Sequence, residues 1–251
     1  PFEYNNIEKL KEIVKREDIG VIKMEVSRSS NPNVEFLFEI RQICDDKGII
    51  LIFDECTSGF RETYGGLHLK YDIFPDMAIF GKALGNGYAI TSVIGKSNIM
   101  EAAQNTFISS TFWTERIGSA AALRALEVME NVKPWKTASE VGFKVREIWT
   151  ETADANGLDI SVSGLPALSS YSFASKNALA YKTLITQEFL KRGYLAGSIL
   201  YASNAHDTAK FDEYAAILDN VFKLIADCEN GQSLNSLLDG PICHAGFKRL
   251  N

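Results

Sequence analysis

The chain has 251 residues, 46% hydrophobic and 23% charged, with a formal net charge of −6. That length holds one large domain or a domain plus a smaller one, at an ordinary globular composition. The negative charge argues against general binding to nucleic acid or an anionic membrane, and no apolar run approaches the roughly 18–20 residues of a membrane helix.

In chain order, Ile7, Leu10, Ile13 and Val14 fall at helical spacing and predict a first helix. Residues 20–26 (GVIKMEV) read as a strand. Asn33 is a plausible N-cap for a helix carrying Phe36, Leu37, Ile40, Ile43 and Cys44, with Gly48 as its stop. Residues 49–53 form an unbroken apolar run, which suits a strand buried on both faces of a parallel sheet. Strand, helix, strand in this order is a crossover unit. A short strand over 77–80 follows, then a strand candidate over 88–95. Residues 117–130 are rich in Ala and Leu and predict a helix; Pro134 predicts the start of a long helix running to Ala155.

The pattern then changes. Short strands over 158–162 and 167–173, a helix over 179–192 stopped by Gly193, a strand over 194–201 and a helix over 210–228 read as a small α+β unit. The fold class expected is α/β: a mostly parallel sheet with flanking helices over residues 1–145, a small α+β domain over 146–230, and an irregular surface tail over 231–251. Pro1 is not an initiator methionine, so the chain reads as a fragment or a processed product. No signal peptide opens it. Cys44, Cys56, Cys228 and Cys243 lie far apart without CxxC spacing, which fits reduced thiols in a cytosolic protein.

The chemistry concentrates at two strand ends. Asp54 closes the 49–53 run, and Lys82 follows 28 residues later in the glycine-rich turn 81–87 (GKALGNG). Ligands of open α/β sheets gather outside the carboxyl ends of strands. A pyridoxal phosphate enzyme needs a lysine to form a Schiff base with the cofactor aldehyde. It also needs an acid to keep the pyridine nitrogen protonated. Apolar residues followed by Asp54-Glu55 also describe a Walker B strand, in which the acid holds Mg²⁺. A P-loop needs G-x-x-x-x-G-K-[ST]; Gly81-Lys82 is followed by Ala83, and Asp76 stands five residues before Gly81, so the motif fails at both ends. An ATPase is the minor alternative.

Several segments together resemble the fold-type I, class III pyridoxal phosphate aminotransferases, and within them the glutamate-1-semialdehyde aminomutase group. Residues 54–61 (DECTSGFR) are similar to the group's Asp-Glu-Val-Met-Thr-Gly-Phe-Arg. Pro75-Asp76, Gly81-Lys82 and Gly85-Asn86-Gly87 resemble its Pro-Asp, Gly-Lys and Gly-Gly-Gly stretch. Ser110-Thr111 before the Ala-rich helix and Ser203-Asn204-Ala205-His206 resemble two further segments. The likeness runs from about Gly20 to about Val221 and departs at Thr114-Glu115-Arg116, where the group has Gly-Asn-Pro. The group also has a large portion ahead of the position of Pro1, with a phosphate-binding turn and a ring-stacking aromatic that this chain does not contain.

The resemblance implies pyridoxal 5′-phosphate as cofactor, Lys82 as its catalytic lysine and Asp54 as the pyridine partner. It implies Cys56 as a small side chain under the ring, and Ser110 and Thr111 at the cofactor phosphate of a neighbouring subunit. The implied protein is a cytoplasmic homodimer acting on a small amino donor or acceptor, by transamination or its intramolecular version, aminomutation. Partners from nucleic acid or membrane are not expected. For Cys56 a reactive thiol is the rival of that ring-facing packing role. The residues themselves suggest that a phosphate would suit the start of the helix at Ile117, and that Gly81, Gly85 and Gly87 let backbone approach a flat ring. Glu25 and His206 carry structural readings beside functional ones. His68 and His244 carry no motif, and scattered histidines make a metal site improbable. The rival reading is a non-catalytic fragment or assembly component, and the 251 residues alone are expected to hold the cofactor weakly.

Overall fold

The computed structural model describes residues 1–15, 18–27, 31–109, 111 and 114–246. The chain divides into two compact units, Pro1–Lys136 and Thr137–Asn251.

The first unit opens with α1 (Ile7–Ile13), whose N-cap Asn6 accepts from the Lys9 amide. β1 (Val21–Glu25) leads to α2 (Val34–Lys47) and β2 (Ile50–Asp54). Both ends of α2 are where local chemistry puts them. The Asn33 side chain accepts from the Glu35 amide, and Gly48 closes the helix at φ +64°. β3 (Met77–Phe80), β4 (Ser92–Gly95), the single turn α3 (Ser97–Met100) and α4 (Ile117–Val132) complete the unit. The sheet order is β1-β2-β3-β4, with the first three strands parallel and β4 antiparallel to β3. The strand expected over 88–95 pairs only from Ser92, because Tyr88 is taken into a turn by its amide bond to the Gly85 carbonyl.

One face of this sheet is dry. Ile22, Met24, Leu51, Phe53, Ala78 and Phe80 are buried, as are Phe36, Leu37 and Ile40 of α2, which lies against β2. The alternate residues Val21, Lys23, Ile52, Asp54 and Ile79 are exposed or half-buried. The run 49–53 was expected to be covered on both faces; within these residues it is covered fully on one. Asp76 fixes the frame. Its Oδ2 accepts from the Leu51 amide at 2.8 Å and from Arg41 at 3.1 Å, and its Oδ1 accepts from Lys96 at 2.7 Å. These bonds outweigh burial and hold its carboxyl below the usual range.

The second unit takes most of α5 (Pro134–Ala155), then β5 (Ile160–Leu165), β6 (Leu168–Phe173), α6 (Ala178–Leu190), β7 (Ile199–Tyr201) and α7 (Phe211–Glu229). Its three strands form an antiparallel sheet in the order β5-β6-β7. Trp149, Tyr181, Phe189 and Phe222 are fully buried with Leu184, Ile185 and Leu218. Only Ile199–Tyr201 of the expected strand 194–201 pairs, while Tyr194 packs its ring against Phe189. The tail is irregular but docked: Leu234, Leu237 and Leu238 pack on the core, and the Gln187 side chain bonds Leu237 and Asp239 backbone. Three leucines at that spacing, rather than the segment's polarity, decide its place. Among the described residues no helix is long and apolar enough to cross a membrane.

Candidate active site

Parallel pairing brings three strand ends to one edge of the first sheet. Glu25 stands opposite Asp54, and Asp54 opposite Ile79, one residue before the end of β3. The chain leaving β3 runs through extended Gly81 into Lys82 at φ +41°. A lysine in the left-handed region is uncommon and needs surrounding structure to hold it. Here the Asn86 amide bonds the Lys82 carbonyl at 3.1 Å, and the Leu84 amide bonds that of Gly81 at 2.9 Å. Gly85 is required by the turn's own backbone, since a Cβ there would lie 2.1 Å from the Tyr88 carbonyl oxygen.

The exposed Lys82 side chain extends to Thr57, its Nζ donating to Oγ1 at 2.6 Å. Thr57 follows β2 by three residues, so this bond joins the ends of β2 and β3. Asp54 is 22% exposed; its Oδ1 accepts from the Cys56 amide at 3.2 Å and its Oδ2 pairs with Lys23 of β1 at 2.9 Å. Burial would raise its pKa, but Lys23 and the Cys56 amide together hold the carboxyl below the ordinary value. Asp54 is thus kept ionised and aimed. The Cys56 thiol lies 3.3 Å from where a Gly81 Cβ would stand. Burial, then the Asp54 charge, push its pKa up, so it is a packing group and not an activated nucleophile.

Under this edge lies a fully buried carboxylate that the sequence did not reveal. Glu55 accepts from the His68 amide at 3.0 Å, from the His68 ring Nδ1 at 2.9 Å, and from the Ser58 hydroxyl. A carboxylate facing Nδ1 calls for a proton on that nitrogen. The network locks the turn that follows Asp54. Asp54, Cys56, Thr57, Gly81 and Lys82 are therefore one constellation. Lys23 and Thr57 were also missed; alternation along 21–25 places Lys23 on the face of Asp54, which is the one signal the sequence offered.

Ser110 lies outside the described residues. Thr111 is exposed, ahead of α4. The amides at the start of α4 are already taken by the chain's own anion: Glu115 accepts from the Ile117 amide at 2.6 Å and the Gly118 amide at 3.2 Å. Glu25 is half-buried at the strand edge. His206, in the second unit, faces Ser203 in a local turn, with Nδ1 3.2 Å from the hydroxyl oxygen. Among the described residues no cluster of three or more His, Cys, Asp or Glu could hold a metal ion.

The donor set fits two ends of a pyridoxal group: a reachable amine on Lys82 and an ionised carboxylate on Asp54. Thr111 stands ahead of α4, whose first amides are occupied by Glu115.

Comparison with known proteins bears on the family and the fold. The family described as Aminotransferase class-III matches residues 6–205. A 3-aminobutyryl-CoA aminotransferase of Cloacimonas acidaminovorans is 29% identical over 225 residues, covering 83% of this chain and 54% of that protein. A glutamate-1-semialdehyde 2,1-aminomutase of Sulfurihydrogenibium azorense is 29% identical over 245 residues, covering 88% and 57%. Among solved structures, the PLP internal aldimine form of Sphingopyxis sp. MTA144 FumI superposes with a TM-score of 0.85 at 22% identity, covering 94% of this chain and 60% of that one. Plasmodium falciparum ornithine delta-aminotransferase gives 0.77 at 19%, covering 90% and 62%. These structures show a shared fold. The chain spans about half the length of the curated relatives it matches.

Proposed function

The chain belongs to the class-III aminotransferase family, and from that membership we propose that it carries the lysine and the ring-nitrogen partner of a pyridoxal phosphate enzyme that moves an amino group on a small amino or carbonyl substrate. The observation that carries the reading is the joined pair of strand ends: Lys82, in a left-handed turn beyond β3, bonds Thr57 at 2.6 Å beside the ionised Asp54 of β2. When bound, the cofactor supplies an aldehyde for amines and a protonated ring that draws electrons from the substrate Cα. Lys82 holds the cofactor by its amine, then holds and moves a proton at the substrate Cα. Thr57 orients the lysine amine. Asp54 would keep the ring nitrogen charged, and Cys56 would supply a small packing surface to the ring. Thr111 serves a phosphate across a homodimer interface. Four unpaired thiols suit a cytoplasmic setting.

The second reading, a non-catalytic member of an assembly, draws on the Glu115 cap, which removes two amide donors from anion binding. Borohydride reduction in the presence of pyridoxal 5′-phosphate, followed by peptide mass analysis, separates the two. The enzyme reading expects a phosphopyridoxyl adduct on Lys82, and loss of that adduct and of all turnover in Lys82→Ala. Adducts spread over exposed lysines, with Lys82 unmarked, would overturn it.

A further inference from the structure

The Asp54 carboxylate has a tenant. Oδ1 is committed to the Cys56 backbone amide at 3.2 Å, and surrendering it would strip that amide of its acceptor. Oδ2 is held at 2.9 Å by Lys23, a side chain of the neighbouring strand. Lys23 pairs in register with Ile52, so it shares the face of Asp54 and reaches one step forward along the strand. Its side chain is 55% exposed. Any ring nitrogen that binds Asp54 must therefore deal with Lys23 at Oδ2.

Resting on the assignment of Asp54 as the pyridine partner, we propose that Lys23 is a positioning residue that holds Asp54 when the ring is absent and yields Oδ2 to the pyridinium nitrogen, so that loading exchanges one cation for another. Two cations on one oxygen repel each other, and of the two only the lysine can leave. Its flexible stem and exposed ammonium move into water at little cost. Before loading, the ammonium keeps the carboxylate ionised and fixed in direction; it is the first group that lowers the Asp54 pKa. The groups that Lys23 and Cys56 sense around this carboxylate are Glu25 on β1 and Lys82 beyond β3. The Cys56 thiol also bonds this carboxylate, and the cation that stands on Oδ2 is Lys23. A neutral ring offers no cation and cannot make the exchange.

The test is a titration of the protein with pyridoxal 5′-phosphate, read by absorbance, for wild type, Lys23→Met and Lys23→Arg. Methionine keeps the length and removes the competitor. Lys23→Met should lower the Kd about two- to fivefold, the size an exposed ion pair can withhold. Lys23→Arg, which keeps the cation, should not. The gain should vanish with 1-deazapyridoxal 5′-phosphate, whose ring carries C–H in place of nitrogen, and in an Asp54→Asn background. Equal or weaker cofactor binding by Lys23→Met, with the Lys82 adduct still trapped by borohydride, overturns the exchange and leaves the cofactor reading standing. Absence of the Lys82 adduct in every variant, wild type included, overturns the cofactor reading and the exchange with it. The ion pair is checked without cofactor by carbon-13 titration of the Asp54 carboxyl, whose midpoint Lys23→Met must raise. An unmoved midpoint overturns the resident role.

Discussion

The two units of the chain solve opposite problems. Thr137–Asn251 closes on itself: an aromatic core of Trp149, Tyr171, Tyr181, Phe189 and Phe222 is buried, and rings meet at 4.7–6.2 Å. Pro1–Lys136 buries one sheet face and leaves the other studded with Lys23, Asp54 and half-covered isoleucines. Asp54 sits at a strand end, where the Cys56 amide has run out of strand partners and donates to its side chain instead. The closed unit spends its sequence on packing. The open unit holds polar groups such as Asp54 in fixed directions on its half-exposed face.

The contrast is sharpest if one unit is broken without touching the other. Phe222 is fully buried and packs edge-on against Phe173 at 5.5 Å. Phe222→Ala should destabilise the second unit by roughly 3–5 kcal/mol, seen as an early transition in urea. The Lys82 adduct should still form beyond that transition, as long as the first unit remains folded. If the adduct disappears at urea concentrations where the first unit remains folded, the division of labour is wrong.

Asp54→Asn tests the other side. The amide keeps an acceptor for the Cys56 N–H and removes the charge that Lys23 and a pyridinium require. Turnover should fall at least ~10²-fold, about 3 kcal/mol of transition-state stabilisation. Folding stability should change by less than about 1 kcal/mol, because the ion pair lost is half-exposed. A rate loss under about threefold would remove Asp54 from the electron-sink role.

What the sequence made legible follows the range of the physics involved. Asn33, Gly48 and Pro134 mark helix ends by chemistry within a few residues, and the structure agrees at all three. The Asp54–Lys82 pair was visible because an apolar run and a glycine turn flank it. The Lys23–Asp54 bond depends on strand register, which spacing does not print. Glu55 and His68 meet across an irregular loop whose path no periodicity reveals. Glu115 occupies the α4 amides that the helix start seemed to offer to a phosphate, since a carboxylate nearby in sequence reaches them first. The tail was read by its polarity, yet Leu234, Leu237 and Leu238 find the core. Short-range signals survived; contacts set by tertiary register did not.

The smallest effect concerns acid. The closed unit carries one strongly perturbed carboxylate, Glu188, lowered from 4.5 to about 2: burial opposes the shift, and Lys191, Gln187 and Arg192 outweigh it. Lys191 stands at 2.8 Å and Arg192 at 3.1 Å. A carboxyl with a depressed folded value binds fewer protons folded than unfolded. Its contribution is therefore complete above about pH 4.5 and is lost as pH falls towards about 2. The partners are 48% and 40% exposed, so solvent screens the pairs and the contribution should stay below about 1 kcal/mol. Glu188→Gln keeps the shape and removes the titration. Urea unfolding of both proteins at pH 7, 4 and 2.5 should give the wild type its full advantage at pH 7, less at pH 4 and only a minor part of it at pH 2.5. An advantage that does not change with pH would mean that the α6 pairs are geometry without energy, and that the closed unit is held by its aromatic core alone.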